Sequence, residues 1–163
     1  MIRPYRPSDR DALIDLTIRA FEGVSIDQNI EARYGVIAGV GWQRRKASHV
    51  EADIAANPGG ILVAERDGVV VGYVSCRVDL RTRIGSIPNL AVHPDFQGEG
   101  LGKQLIQAAL AYHRSLGMKF VRIETLEQNH RCMALYPRLG FREIARQVHY
   151  IMPLDGPTER ADG

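Results

Sequence analysis

Long apolar runs are missing from this 163-residue chain, and so is any large excess of charge of one sign. No stretch approaches the ~18 apolar residues of a membrane-spanning helix, and Met1-Ile2-Arg3-Pro4 lacks the apolar centre of a secretory leader. No membrane partner is expected, and the chain reads as cytoplasmic. Lysine and arginine number 21 against 19 acidic residues, a net charge of +2. So even a balance gives no field for nucleic acid, and an acidic ligand has to be held by local geometry. Cysteine is scarce: Cys76 and Cys132 stand far apart, which argues against a disulfide framework. The five histidines follow no ligand spacing, so no metal is expected. A chain of this length buries roughly 70% of its unfolded surface and needs no such staples. Repeats and low-complexity segments are absent. We read one domain over residues 1–153, followed by a polar tail over 154–163.

What is present is a clear alternation of elements. Residues 1–5 suit a short strand. Ser8 offers a helix N-cap, with Asp9 and Asp11 in the first turn, ahead of the amphipathic stripe Leu13, Leu16, Thr17, Ala20 and Phe21. Two helical pieces follow over 26–34 and 42–56. Strands are expected at 61–65 and 69–78 around Asp67-Gly68, a pair whose tolerance of positive φ marks a type I′ hairpin turn. Further strands fall at 87–92, 120–126 and 143–152, with helices over 100–116 and 129–136. The strand at 87–92 and that at 120–126 flank one helix, so the crossover rule makes them parallel. Pro137 removes a helix N–H, which predicts a distorted last turn. The fold class is α/β, an α+β mixed and mostly antiparallel sheet with helices on both faces.

The chemistry concentrates between the strand at 87–92 and the next helix. Gln97-Gly98-Glu99-Gly100-Leu101-Gly102-Lys103 packs three glycines ahead of a helix start. Glycine lets backbone approach a ligand closely, and the unpaired N–H groups of a helix start favour an anion such as a pyrophosphate. A dinucleotide fingerprint would need glycine at 103, where lysine stands. A Walker A loop would need glycine at 97 and Ser or Thr at 104, where both residues are glutamine. Without a ligand the same loop is a flexible turn leading into a helix.

Gln97-x-x-Gly100-x-Gly102, with Asn129-x-x-Cys132-x-x-Leu135-Tyr136 and Gly140-Phe141 downstream, resembles the paired signatures of the GNAT superfamily of acyl-CoA-dependent N-acyltransferases. The resemblance covers roughly residues 61–152. It implies a GNAT-like sheet with a central, splayed parallel strand pair. It also implies acetyl-CoA as co-substrate, bound by the amides of Gly98, Gly100, Leu101, Gly102 and Lys103, with Gln97 at the signature's first position. Leu90, Ala91 and Val92 would pair with the pantetheine arm like an added strand. Asn129 would bond the arm from the other side, and Cys132 would face it, as a small hydrophobe or as a thiol able to form a mixed disulfide.

The implied activity is N-acetyl transfer to a primary amine, of a small molecule or a peptide, by direct attack in a ternary complex. The alternative is a catalytically weak acyl-CoA-binding regulatory domain. A homodimer is compatible with the family. Tyr136 stands where the family places its general acid; a phenol is protonated at neutral pH. The oxyanion would meet a strand amide near Ala91 or Val92. For the base the resemblance offers Glu124, then Glu127, then water; Glu124 is spaced from Asn129 and Tyr136 as in a member that acetylates the N-terminal alanine of a ribosomal protein. Otherwise Glu124 is a salt-bridged strand residue beside Arg122. The acceptor would be shaped by Tyr34, Trp42 and Arg81, which equally suit packing and solvated charge.

Overall fold

The computed structural model describes residues 1–155. Four strands form an antiparallel sheet in the order β1-β2-β3-β5: β1 (Ile2–Pro4), β2 (Ile61–Arg66), β3 (Val69–Ser75) and β5 (Leu90–Val92). A second sheet pairs β4 (Ile84–Ile87) in parallel with β6 (Phe120–Ile123). An isolated bridge between Arg77 and Ser86 joins the two sheets. At the β2–β3 turn Asp67 has φ 51° and Gly68 φ 76°, both positive as a type I′ turn requires.

One expected strand, 87–92, is therefore two. Pro88 has no N–H to donate, and the register against β3 slips there. Arg77 lies opposite Ser86, whereas Val74 lies opposite Leu90. The parallel ladder forms at 84–87, ahead of the proline, and β5 stays with β3 alone. The sheet thus splays between β5 and β6.

The described residues form five α-helices: α1 (Arg10–Ala20), α2 (Ile26–Tyr34), α3 (Trp42–Ala56), α4 (Leu101–Ser115) and α5 (His130–Arg138). Leu13, Leu16 and Val50 of α1 and α3 pack with Val63, Tyr73 and Ala91 on one face. Leu101, Leu105 and Ala109 of α4 pack with Val71, Val74 and Ile87 on the other. α1, α3 and α4 each bury one stripe and leave the opposite side to water, the division that holds a two-sided sheet together. No helix among the described residues is long and apolar enough to cross a membrane.

Two expectations are corrected. Ser8 does not cap α1. Asp9 stands at that position, and its carboxylate accepts the Arg6 N–H and a two-pronged bond from the Arg3 guanidinium, at 2.8 and 2.9 Å. Residues 143–152 form no strand, because no neighbour among the described residues pairs with them. Residues 156–163 of the expected tail lie outside the described residues.

Arg3 and Asp9 are both buried, so removing one charge exposes the cost of the other. Asp9→Asn is expected to lower stability by roughly 3 kcal/mol, the low end for a broken buried pair, because Glu65 still holds Arg3 Nε at 2.6 Å. Arg3 also holds the Asp9 carboxyl below the usual carboxylate range. This stability is complete above the ordinary value near 3.9 and is lost as pH falls through the lower folded value. Urea melts of both proteins across the acid range measure the difference, which should shrink there. Equal midpoints at neutral pH would disprove it.

Candidate active site

Gly100 precedes α4 in the left-handed conformation, φ 82°, and no side chain caps the helix. Gly98 has φ 86°. The first main-chain bond into the helix runs from the Gln104 N–H to the Gly100 carbonyl. Across residues 98–103 no N–H meets an acceptor among the described residues. A Cβ on Gly98 or Gly100 would have no atom within 4 Å, so open space lies before these amides. A run of bare N–H groups at a helix start can receive an anion. The loop's own Glu99 carboxylate is drawn aside by Arg66 at 2.7 Å, and that guanidinium lies 5.1 Å over the Phe96 ring.

The glycine loop opens beside the splay. A Cβ on Gly102 would lie 3.8 Å from Leu135 of α5 and 3.9 Å from Val92 of β5, so three elements converge there. Gln97 ties them together. Its Nε2 donates to the Val92 carbonyl at 2.9 Å, and its Oε1 accepts from Arg131 of α5. The Ser75 N–H donates to the Asn89 carbonyl and the His93 N–H to Val71, so odd-numbered residues face β3. By strand alternation the main-chain groups of Leu90 and Val92 face the gap, and those of Ala91 do not.

Asn129 caps α5, its Oδ1 accepting the Cys132 N–H at 3.2 Å; its NH2 group meets no acceptor among the described residues. Tyr136, one turn beyond Cys132, is buried. Burial, then the neighbouring Cys132, raises its hydroxyl above the ordinary phenol value. The distortion expected from Pro137 takes an ordered form. The Phe141 N–H bonds the Tyr136 carbonyl and the Gly140 N–H bonds that of Pro137, with Gly140 at φ 95°. This is a Schellman closure. Its accompanying apolar contact is the Tyr136–Phe141 ring pair at 5.9 Å. The Gly140-Phe141 pair therefore fixes the tyrosine.

A polar cluster at the strand break escaped the sequence reading. Asp53 of α3 accepts from Ser75 Oγ and Asn89 Nδ2, both at 2.6 Å, and from Arg77 at 2.7 Å. Lys46 Nζ donates to Asn89 Oδ1 at 3.1 Å and lies 3.8 Å over the Phe21 ring. Burial lowers the Lys46 ammonium from its ordinary value. The visible signal was two charged residues in register with Trp42, Ala47 and Val50 on the buried stripe of α3.

The remaining candidates separate. Glu124, just past β6, is exposed, with no bond to Arg122 or other ion pair among the described residues. Glu127 is held by Arg146 at 2.7 Å. Trp42 lines a cavity of about 290 Å³ with Gln28, Glu31 and Val36, which neither Tyr34 nor Arg81 lines. Arg81 belongs to a loop whose Arg83 carbonyl accepts the Lys119 N–H, at the end of α4 opposite the glycine loop. The amide of Gln128 bonds Asn29 at 2.9 Å and the Gly23 carbonyl at 2.7 Å, which places α2 beside the start of α5. No metal-holding cluster occurs among the described residues.

Fold and site together describe an α/β protein with a glycine loop of unpaired amides beside a split sheet. The model of the Acetyltransferase (GNAT) family matches residues 24–141, and the chain belongs to this family. A mycothiol acetyltransferase of Parafrankia sp. (strain EAN1pec) is 30% identical over 181 aligned positions, covering 95% of this chain and 56% of that protein. The mycothiol acetyltransferase of Streptomyces coelicolor is 35% identical over 85 residues, covering 52% of this chain and 28% of its own length. The chain thus spans between about a quarter and a little over half of these relatives. A GNAT family acetyltransferase from Brucella melitensis, solved with acetyl-CoA, superposes with a TM-score of 0.63 at 27% identity, over 88% of this chain and 82% of that one.

Proposed function

We propose that the protein is an N-acetyltransferase that transfers the acetyl group of acetyl-CoA to a primary amine of a small molecule or peptide, by direct attack in a ternary complex. The run of unpaired amides over 98–103, opening on the gap between β5 and α5, carries this reading. The names of the relatives and the acetyl-CoA complex of the Brucella protein support it. Acetyl-CoA supplies an activated thioester. The chain's part is to bind the double phosphate at Gly98, Gly100, Leu101, Gly102 and Lys103, and to align the arm along Leu90 and Val92. The NH2 of Asn129 faces the arm from α5, beside Cys132. The Val92 N–H, on the open edge, is the strand amide available to developing negative charge; the Ala91 N–H is taken by β3. Tyr136 holds the proton that the departing sulfur takes up. The acceptor amine enters between α2 and the β6–α5 loop, where exposed Glu124 receives its proton directly or through water. Glu127, engaged by Arg146 at 2.7 Å, stands second as a base.

One observation favours a second reading, an acyl-CoA-binding regulatory domain. The gap end of the strand break carries Asn89, an amide with no basic site, tied to Asp53 and Lys46. A thiol-release screen with amino sugars, small amines and peptide N-termini separates the two. Turnover with any class supports the transferase; tight acetyl-CoA binding with no release across the panel supports the regulator. The placement has its own check. Cys76 is buried and its thiol is pushed up to about 12, so a thiol reagent should titrate one cysteine, Cys132, in the native protein. Acetyl-CoA should slow that reaction in proportion to site occupancy. An unchanged rate at saturation would move the arm away from α5.

A further inference from the structure

The glycine loop carries a charge of the wrong sign. Glu99 stands in the middle of the unpaired amides over 98–103, so the run that would hold an anion has one of its own. Acidic side chains stabilise helix starts, because their oxygens satisfy the orphan donors and meet the partial positive charge. Here α4 has no side-chain cap. Gly98 and Gly100, on either side of Glu99, place no side chain in its way, and the space beside them is open. Yet Glu99 turns outward. Its Oε2 accepts from Arg66 Nη1 at 2.7 Å.

Arg66 comes from a different part of the chain, 33 residues away. It closes β2, and its pairing with Val69 across the Asp67-Gly68 turn fixes where its stem begins. The guanidinium also lies 5.1 Å over the ring of Phe96, at the end of the short 3-10 turn Pro94–Phe96 that leads into the loop. Glu99 takes this remote partner although Lys103 follows it by only four residues. The two side chains are 47% and 48% exposed, and an ion pair so open to water contributes little to folding. Its effect falls on the loop.

We propose that Arg66 is a positioning residue of the cofactor site: by holding the Glu99 carboxylate off the helix start, it keeps the amides over 98–103 open to the double phosphate of acetyl-CoA. The inference rests on the transferase reading for the identity of that ligand. Without the guanidinium, Glu99 turns inward and occupies the first amides of α4 as a built-in competitor. Two anions then contend for one set of donors, and the ligand's affinity falls with the fraction of molecules whose loop is empty.

Arg66→Met keeps an apolar stem over Phe96 and removes the charge. Calorimetric titration should show acetyl-CoA binding it roughly three- to tenfold more weakly, the size of a carboxylate's contribution at a helix start. Adding Glu99→Gln should restore the parent's affinity, since a neutral amide gains little from the helix charge. Hydrogen exchange without ligand gives a reading that needs no cofactor. Amides over 101–103 should exchange more slowly in Arg66→Met than in the parent, whereas a merely loosened hairpin would speed them. Unchanged affinity in Arg66→Met, or unchanged exchange, overturns the proposal. So does an affinity that stays low in the double variant, which would make Arg66 a direct phosphate contact. A parent that binds no acetyl-CoA counts against the transferase reading, and the exchange comparison still decides for Arg66. Should Arg66→Met not fold, Arg66→Gln makes the same comparisons.

Discussion

Acetyl-CoA should bind Gly100→Val roughly 10²–10⁴-fold more weakly than the parent. Gly100 has φ 82°, a conformation that a β-branched residue adopts only under strain of about 1–3 kcal/mol. The chain relieves it by rotating the neighbouring peptides, which turns the amides at the start of α4 away from a common point. Each hydrogen bond to a charged group contributes about 1.5–3 kcal/mol, so losing two accounts for the range. The new side chain stands in open space, since nothing of the protein lies within 4 Å of that Cβ. The absence of core contacts at this position predicts a preserved fold. Calorimetric titration beside a thermal melt makes the comparison, and normal affinity in Gly100→Val would take the double phosphate out of this loop.

Tyr136→Phe should lower kcat by about 10²-fold or more, within the 10²–10⁴ span of a positioned acid, at little cost in acetyl-CoA affinity. Phenylalanine keeps the ring contact with Phe141 and the helix closure, so only the hydroxyl is lost. The pH profile is a second readout. Burial holds the Tyr136 proton to above its ordinary value near 10. The parent should therefore show no alkaline loss of activity from this group below that value. Rapid-quench measurement of the chemical step tests the substitution, and a rate equal to the parent's would leave the phenol as a packing residue.

How much of this was legible in the sequence depended on the range of the forces involved. Asp67-Gly68 announced its turn because positive φ is a local demand. The end of α2 and the start of α3 were readable because Gly35 and Gly41 stand beside them, where glycine breaks a helical run. The glycine loop was legible as an uncapped helix start because its open amides are a property of its own backbone. The split of 87–92 was not, because its apolar run hides the register slip that Pro88 introduces. Ser8 lost the helix start to Asp9 because Arg3, six residues upstream, stabilises that carboxylate. Lys46 and Asp53 went unread because only the fold brings Asn89 and Ser75 to them. Spacing ranked Glu124 ahead of Glu127, but it could not show that Arg146, 19 residues from Glu127, engages the second of them. The pattern at 143–152 stated a preference for extended chain, and no strand among the described residues pairs with it.

The closure at the end of α5 also has a meaning for how the molecule is made. Tyr136 takes its orientation from a glycine and a phenylalanine that follow it in the chain. On a ribosome the phenol emerges before the residues that hold it, so a nascent chain ending at Arg138 carries both glycine loop and tyrosine without a working arrangement of the two. Competence would arrive abruptly, with the addition of Phe141.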